Sequence, residues 1–206
     1  MNILLNQLVS SVLQLALFCA VPLLFYLARH KKLAGFGQWM GLYPVPHPPL
    51  RQAGAIFVGF LAVTVLPWLW LYRGQNLNFQ GLVYDAFRQS GWSAVTLAVV
   101  LLWAVVQTSL TEELLFRGFF CKRFSALLGQ RWGNLLQAAL FGLVHVLALP
   151  QKTPAACLVI VLLTGGVGWA LGWLSQKRAG GSILYGWAVH AGANLVSSLV
   201  VLSCFV

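Results

Sequence analysis

Thr111-Glu112-Glu113-Leu114-Leu115-Phe116-Arg117-Gly118-Phe119-Phe120 continues an uncharged apolar window, residues 89–111, so two adjacent carboxylates stand inside a run long enough for a membrane helix. The basic edge of that run is Lys122. On a helix rising 1.5 Å per residue, Glu112 lies about 15 Å below it. A charge at that depth costs several kcal/mol and faces either a partner or a polar cavity. Glu113 and Arg117 are four residues apart with the acid first, the favourable order for an intrahelical ion pair. Glu112 points about 100° away from Glu113. The expected division is that Arg117 neutralises Glu113, which leaves Glu112 as the candidate acid or base.

The rest of the chain puts this helix among others of its kind. Of 206 residues, 60% are hydrophobic and 8% charged, with mean hydropathy +0.83, whereas roughly a quarter of residues in soluble domains are charged. Further uncharged windows cover residues 1–28, 52–72, 132–151, 153–176 and 179–206. The predicted fold is therefore all-α, a polytopic helical transmembrane bundle of about six spans, built as a single integral membrane domain over residues 1–206. The lipid bilayer is its first partner. Tyr43-Pro44-Val45-Pro46-His47-Pro48-Pro49 is expected as a surface loop, because proline lacks a backbone donor and disfavours helix in the residue before it. The break from Pro150 to Pro154 separates two spans.

A net charge of +10 would point to nucleic acid in a soluble protein. Here most of it falls in short loops, which excludes that class. Arg29, Lys31, Lys32, Arg51, Lys122, Arg123, Arg131, Lys177 and Arg178 lie on one side. The other side holds Arg73, Arg88, Asp85 and Lys152. By the positive-inside rule both termini are extracytoplasmic. The N-terminus has no basic segment ahead of its apolar run, so the first helix is read as retained. Cys19, Cys121, Cys157 and Cys204 are scattered without CxxC spacing and read as small core hydrophobes. Gly168 and Gly172, at GxxxG spacing, read as internal helix packing in preference to a dimerisation face.

Glu112, Glu113 and Arg117 alone could be a structural ion triad. Two histidines deep in later windows shift that balance. Phe141 and His145 share one helix face, as do His190 and Asn194. Measured from the basic side, Glu112, His190 and His145 lie about 10, 12 and 14 residues in, a spread of about 6 Å that tilt absorbs. A carboxylate, two imidazoles and an amide at one depth suit amide hydrolysis. A desolvated carboxylate is a stronger base for a water proton than a hydrated one. His145 would share that water, and His190 with Asn194 would stabilise the oxyanion. No serine or cysteine stands in a nucleophile motif, so water is the simpler attacker.

In order and spacing, EExxxR (Glu112, Glu113, Arg117), FxxxH (Phe141, His145) and HxxxN (His190, Asn194) resemble the three motifs of the CAAX prenyl endopeptidase and bacteriocin-processing (CPBP, Abi-type) intramembrane proteases. The resemblance covers residues 110–197. It implies cleavage of a protein or peptide substrate at the membrane, with Glu112 and His145 activating water, His190 and Asn194 at the oxyanion, and Glu113, Arg117 and Phe141 in support. The family has been read both as glutamate proteases and as metalloproteases. Zinc or another divalent metal could take Glu112, His145 and His190. HExxH is absent, however, and an asparagine suits an oxyanion better than zinc, so the preferred reading requires no cofactor. The compact chain favours a bacterial cell membrane and a substrate without a prenyl group. Two other classes compete: a non-catalytic immunity or scaffold protein that sequesters a peptide, and a proton-coupled transporter. The second is disfavoured by the lack of internal repeats.

Overall fold

The structure is a computed structural model, and it describes residues 2–71, 80–149 and 152–205. Arg73 and Pro150 therefore lie outside the described residues. Every regular element among the described residues is helical: α1 (Ile3–His30), α2 (Phe36–Met40), α3 (Leu50–Leu71), α4 (Leu82–Ser90), α5 (Ala94–Leu101), α6 (Lys122–His145), α7 (Pro154–Trp173) and α8 (Leu184–Phe205). Between α5 and α6 the chain stays helical but opens twice into wider π turns, over Leu102–Leu110 and Glu113–Cys121. Another π segment, Leu174–Arg178, closes α7. Such turns are rare and concentrate at functional sites.

The helices account for six spans. Four helical runs among the described residues are long and apolar enough to cross a membrane, and Leu50–Leu66 adds a shorter apolar one. One of the four, Ala94–Ala148, is 55 residues long. As a straight helix it would measure about 80 Å, well over twice the ~30 Å hydrocarbon core. Gly129 breaks it, at φ 77° and ψ 158°. The chain then folds back so tightly that a Cβ on Gly133 would overlap the backbone of Phe124 and Ser125. That run is therefore two passes.

The chain divides into two compact units. The first comprises Met1–Ala20, Phe57–Thr111 and Trp187–Val206. Its apolar core gathers Val83, Ala86, Val99, Val100 and Leu202. A ladder of amides crosses it: Gln7 Nε2 donates to Gln107 Oε1 (2.5 Å), Gln107 Nε2 to Gln14 Oε1 (3.2 Å), and Gln14 Nε2 to Thr111 Oγ1 (3.4 Å). With no water in hydrocarbon, such groups must satisfy one another, and they tie helices together.

The second unit comprises Val21–Ile56 and Glu112–Gly186. Here α6 and α7 approach closely through small residues. A Cβ on Gly142 would come within 2.6 Å of the Val161 carbonyl, and one on Gly172 would overlap Asn134 Oδ1. The amides of Asn134 and Gln137 donate to the Trp169 and Gly168 carbonyls at 3.0 and 2.9 Å. The glycines at GxxxG spacing are thus spent on internal packing. The proline-rich segment is a loop, clasped to the turn before α8. Ile183 N–H donates to the Gly41 carbonyl (2.9 Å), Tyr43 OH to the Gly180 carbonyl (2.7 Å) and Ser182 Oγ to the Tyr43 carbonyl (2.5 Å). Gly41 sits at φ 98°, and a Cβ there would meet the Gly181 carbonyl at 2.6 Å.

Candidate functional site

Glu113 and Arg117 are both completely buried, and Arg117 Nη1 lies 2.9 Å from Glu113 Oε1. The acid-first spacing of four thus yields the expected pair, although the turns here are π-helical. The guanidinium also lies over the ring of Phe141, with Cζ 4.2 Å from the centroid. Arg117 Nε and Nη2 find no hydrogen-bond acceptor among the described residues. The negative face of the Phe141 ring takes that place. Phe116 meets the same ring edge-on at 4.9 Å.

Space beside the acid is provided by Gly186, where a Cβ would stand 2.9 Å from Glu113 Oε2. Nothing in the sequence distinguishes this glycine from its neighbours. The ion pair restrains Glu113 from swinging aside, so Gly186→Ala is expected to destabilise the protein by about 1–3 kcal/mol, as overpacking does. A shift in the denaturant midpoint checks it.

Phe141 carries the chain of contacts onward. Its ring centroid lies 4.6 Å from that of His145, and its backbone carbonyl lies 2.7 Å from His145 Nδ1. A carbonyl can only accept, so Nδ1 carries the proton and Nε2 is the basic nitrogen of the neutral ring. His145 is half-buried, and so is Glu112, in contrast to the sealed Glu113. Glu112, Glu113, Arg117, Phe141 and His145 all belong to the second unit.

His190 and Asn194 belong to the first unit, on α8. His190 is buried, with its ring 5.5 Å from that of Phe60. Asn194 Nδ2 donates to Thr108 Oγ1 at 3.1 Å and to Ser109 Oγ at 3.2 Å. The Thr108 hydroxyl itself donates to the Trp103 carbonyl at 2.9 Å. Its oxygen is therefore left to accept, which fixes which end of the Asn194 amide faces it. Thr108 and Ser109 escape sequence reading, since hydroxyls on membrane helices commonly bond their own backbone. Asn194 also lines a cavity of about 170 Å³ with Thr64, Tyr84, Trp103, Ser197 and Ser198.

Among the described residues no three His, Cys, Asp or Glu side chains gather as a metal site. The family model described as "Type II CAAX prenyl endopeptidase Rce1-like" matches residues 94–196, half of the chain. That segment contains all three motifs. No curated protein and no solved structure matches significantly.

Proposed function

The chain belongs to the type II CAAX prenyl endopeptidase Rce1-like family, and from that premise we propose that it hydrolyses a peptide bond of a membrane-associated protein or peptide, with Glu112 and His145 activating water. The observation that carries this reading is the chain of contacts Glu113–Arg117–Phe141–His145. It commits one acid to an ion pair and presents Nε2 of the imidazole as the basic atom.

In the proposed reaction His145 Nε2 accepts a hydrogen bond from the water, and Glu112 removes a proton from it. The water oxygen attacks the scissile carbonyl. His190 and Asn194 donate to the oxyanion that forms, Asn194 exchanging its longer bond, to Ser109, for the substrate. Glu112 then returns the proton to the departing amine, and the products are a carboxylate and an amine. The proposal needs no metal, and no step passes through one. Glu113, Arg117 and Phe141 position the reacting groups. The charge asymmetry of the loops supports an orientation with both termini extracytoplasmic; a bacterial cell membrane and a substrate without a prenyl group complete the proposal.

The test uses the purified full chain in lipid nanodiscs with two peptides, a prenylated CAAX peptide and an unlipidated membrane peptide. Mass spectrometry is expected to show a product pair summing to substrate plus one water, formed equally fast with and without a chelator. No cleavage of either peptide would sink the protease reading. Loss of cleavage on chelation, restored by zinc, would replace the glutamate mechanism with a metal-dependent one.

A further inference from the structure

The end of α1, α2 and the start of α6 bring together cations that the mechanism does not use. The Arg123 guanidinium lies over the Trp39 ring at 4.4 Å, and that of Arg29 over Phe25 at 5.5 Å. The Phe25 and Trp39 rings stack on each other, 6.1 Å apart and 25° from parallel. Lys122 Nζ donates to the Trp39 carbonyl at 3.1 Å. Arg29 and Arg123 are near enough to repel each other. Arg123 Nε is buried with no acceptor among the described residues.

The chain has no acid to spare for this cluster. Residues 21–56 and 114–186 contain neither Asp nor Glu. Asp85 is paired with Arg88 (3.4 Å) in the other unit, and Glu113 with Arg117. Glu112 lies on the same helical run as Lys122, with the whole π segment Glu113–Cys121 between them. Two half-buried cations, Lys122 and Arg123, with the exposed Arg29 beside them, call for an anion, and the acids of the chain are placed elsewhere.

The position identifies that anion. The cluster sits in the basic loops at a membrane edge, among Trp39, Tyr26 and Tyr43, the amphipathic ring types that collect at headgroup level. Phosphates of the lipid occupy that level, and anionic lipids are drawn to cations on the cytoplasmic face. Guanidinium forks match phosphate oxygens in pairs. We propose that Arg29, Trp39, Lys122 and Arg123 form a binding site for the phosphate of an anionic phospholipid headgroup. The site is coupled to the helix bearing the acid pair. The Met40 carbonyl, at the end of α2, rests against Gly118, where a Cβ would lie only 2.7 Å away. A bound lipid therefore braces the turn that follows Arg117.

Native mass spectrometry of the full chain from micelles holding phosphatidylglycerol and phosphatidylcholine in equal amounts tests this. The wild type is expected to retain phosphatidylglycerol selectively. Arg29→Gln/Arg123→Gln should bind it about thirtyfold more weakly. Lys31→Gln/Lys32→Gln, which removes the same charge from exposed positions, should bind it almost as well as the wild type. Equal binding by the arginine pair variant and the wild type, or an equal loss in the lysine pair, would overturn the site as a diffuse surface charge. Inorganic phosphate that displaces phosphatidylglycerol at comparable concentration would overturn the lipid assignment in favour of a free anion. Should the arginine variant not fold, the wild type decides alone. Its unfolding temperature is expected to be higher in nanodiscs containing phosphatidylglycerol than in phosphatidylcholine, and no difference would overturn the proposal.

Discussion

Glu112→Gln is expected to slow peptide cleavage by about 10²–10⁴-fold, the usual contribution of a positioned general base, while leaving the fold intact. Glutamine keeps the shape and the hydrogen-bonding reach of the side chain but cannot take a proton from water. Glu112 is half-buried and is not the carboxylate paired with Arg117, so the change leaves the Glu113–Arg117 ion pair in place. The neighbouring acid offers no substitute, because the Arg117 charge holds Glu113 in a fully closed position. Single-turnover rates of purified wild type and variant, with matching circular dichroism, give the comparison. If the role is confined to proton transfer, kcat falls and KM hardly moves. Cleavage at the wild-type rate would remove Glu112 from the mechanism.

Arg117→Leu is expected to act on stability, by about 3–5 kcal/mol, the cost of leaving one member of a buried ion pair behind. Both residues are wholly inaccessible, so Glu113 would lose its counter-charge where solvent cannot replace it, and Phe141 would lose the cation on its face. The double change Glu113→Leu/Arg117→Leu distinguishes charge from packing. Exchanging both partners for apolar residues of similar size is often nearly neutral, so most of the lost stability should return. Equilibrium unfolding of the two variants reads this directly, and a double variant as unstable as the single one would assign the effect to shape.

What could be read in the sequence was what helix geometry makes local. The Glu113–Arg117 pair and the Phe141–His145 contact are both i, i+4 relations, visible from spacing alone. The spans were visible because hydrocarbon thickness sets a length, and even the 55-residue run was divided correctly, at its charges rather than at Gly129. The π turns around the acid pair were not visible. A shift in hydrogen-bond register is decided by packing against other helices, and residues 102–121 carry no composition that marks it. The partners of Asn194 were hidden for the same reason, since Thr108 and Ser109 precede it by more than 80 residues. Gly186 looks like any small residue until Glu113 is placed against it. The basic aromatic cluster was legible as charge, while its pairing of Arg123 with Trp39 depended on the fold of α2.

The hydrogen bond from His145 Nδ1 to the Phe141 carbonyl bears on which way protons can travel. A histidine that conducts protons through a membrane takes one in at one nitrogen and lets it out at the other, so both must be open to exchange. In His145 one nitrogen is tied to the backbone of its own helix turn. Any proton the ring receives arrives at Nε2 and leaves from Nε2. That arrangement does not suit a relay of protons across the membrane, and it suits the proposed reaction, in which Nε2 holds a water by one hydrogen bond while Glu112 takes the proton and gives it back.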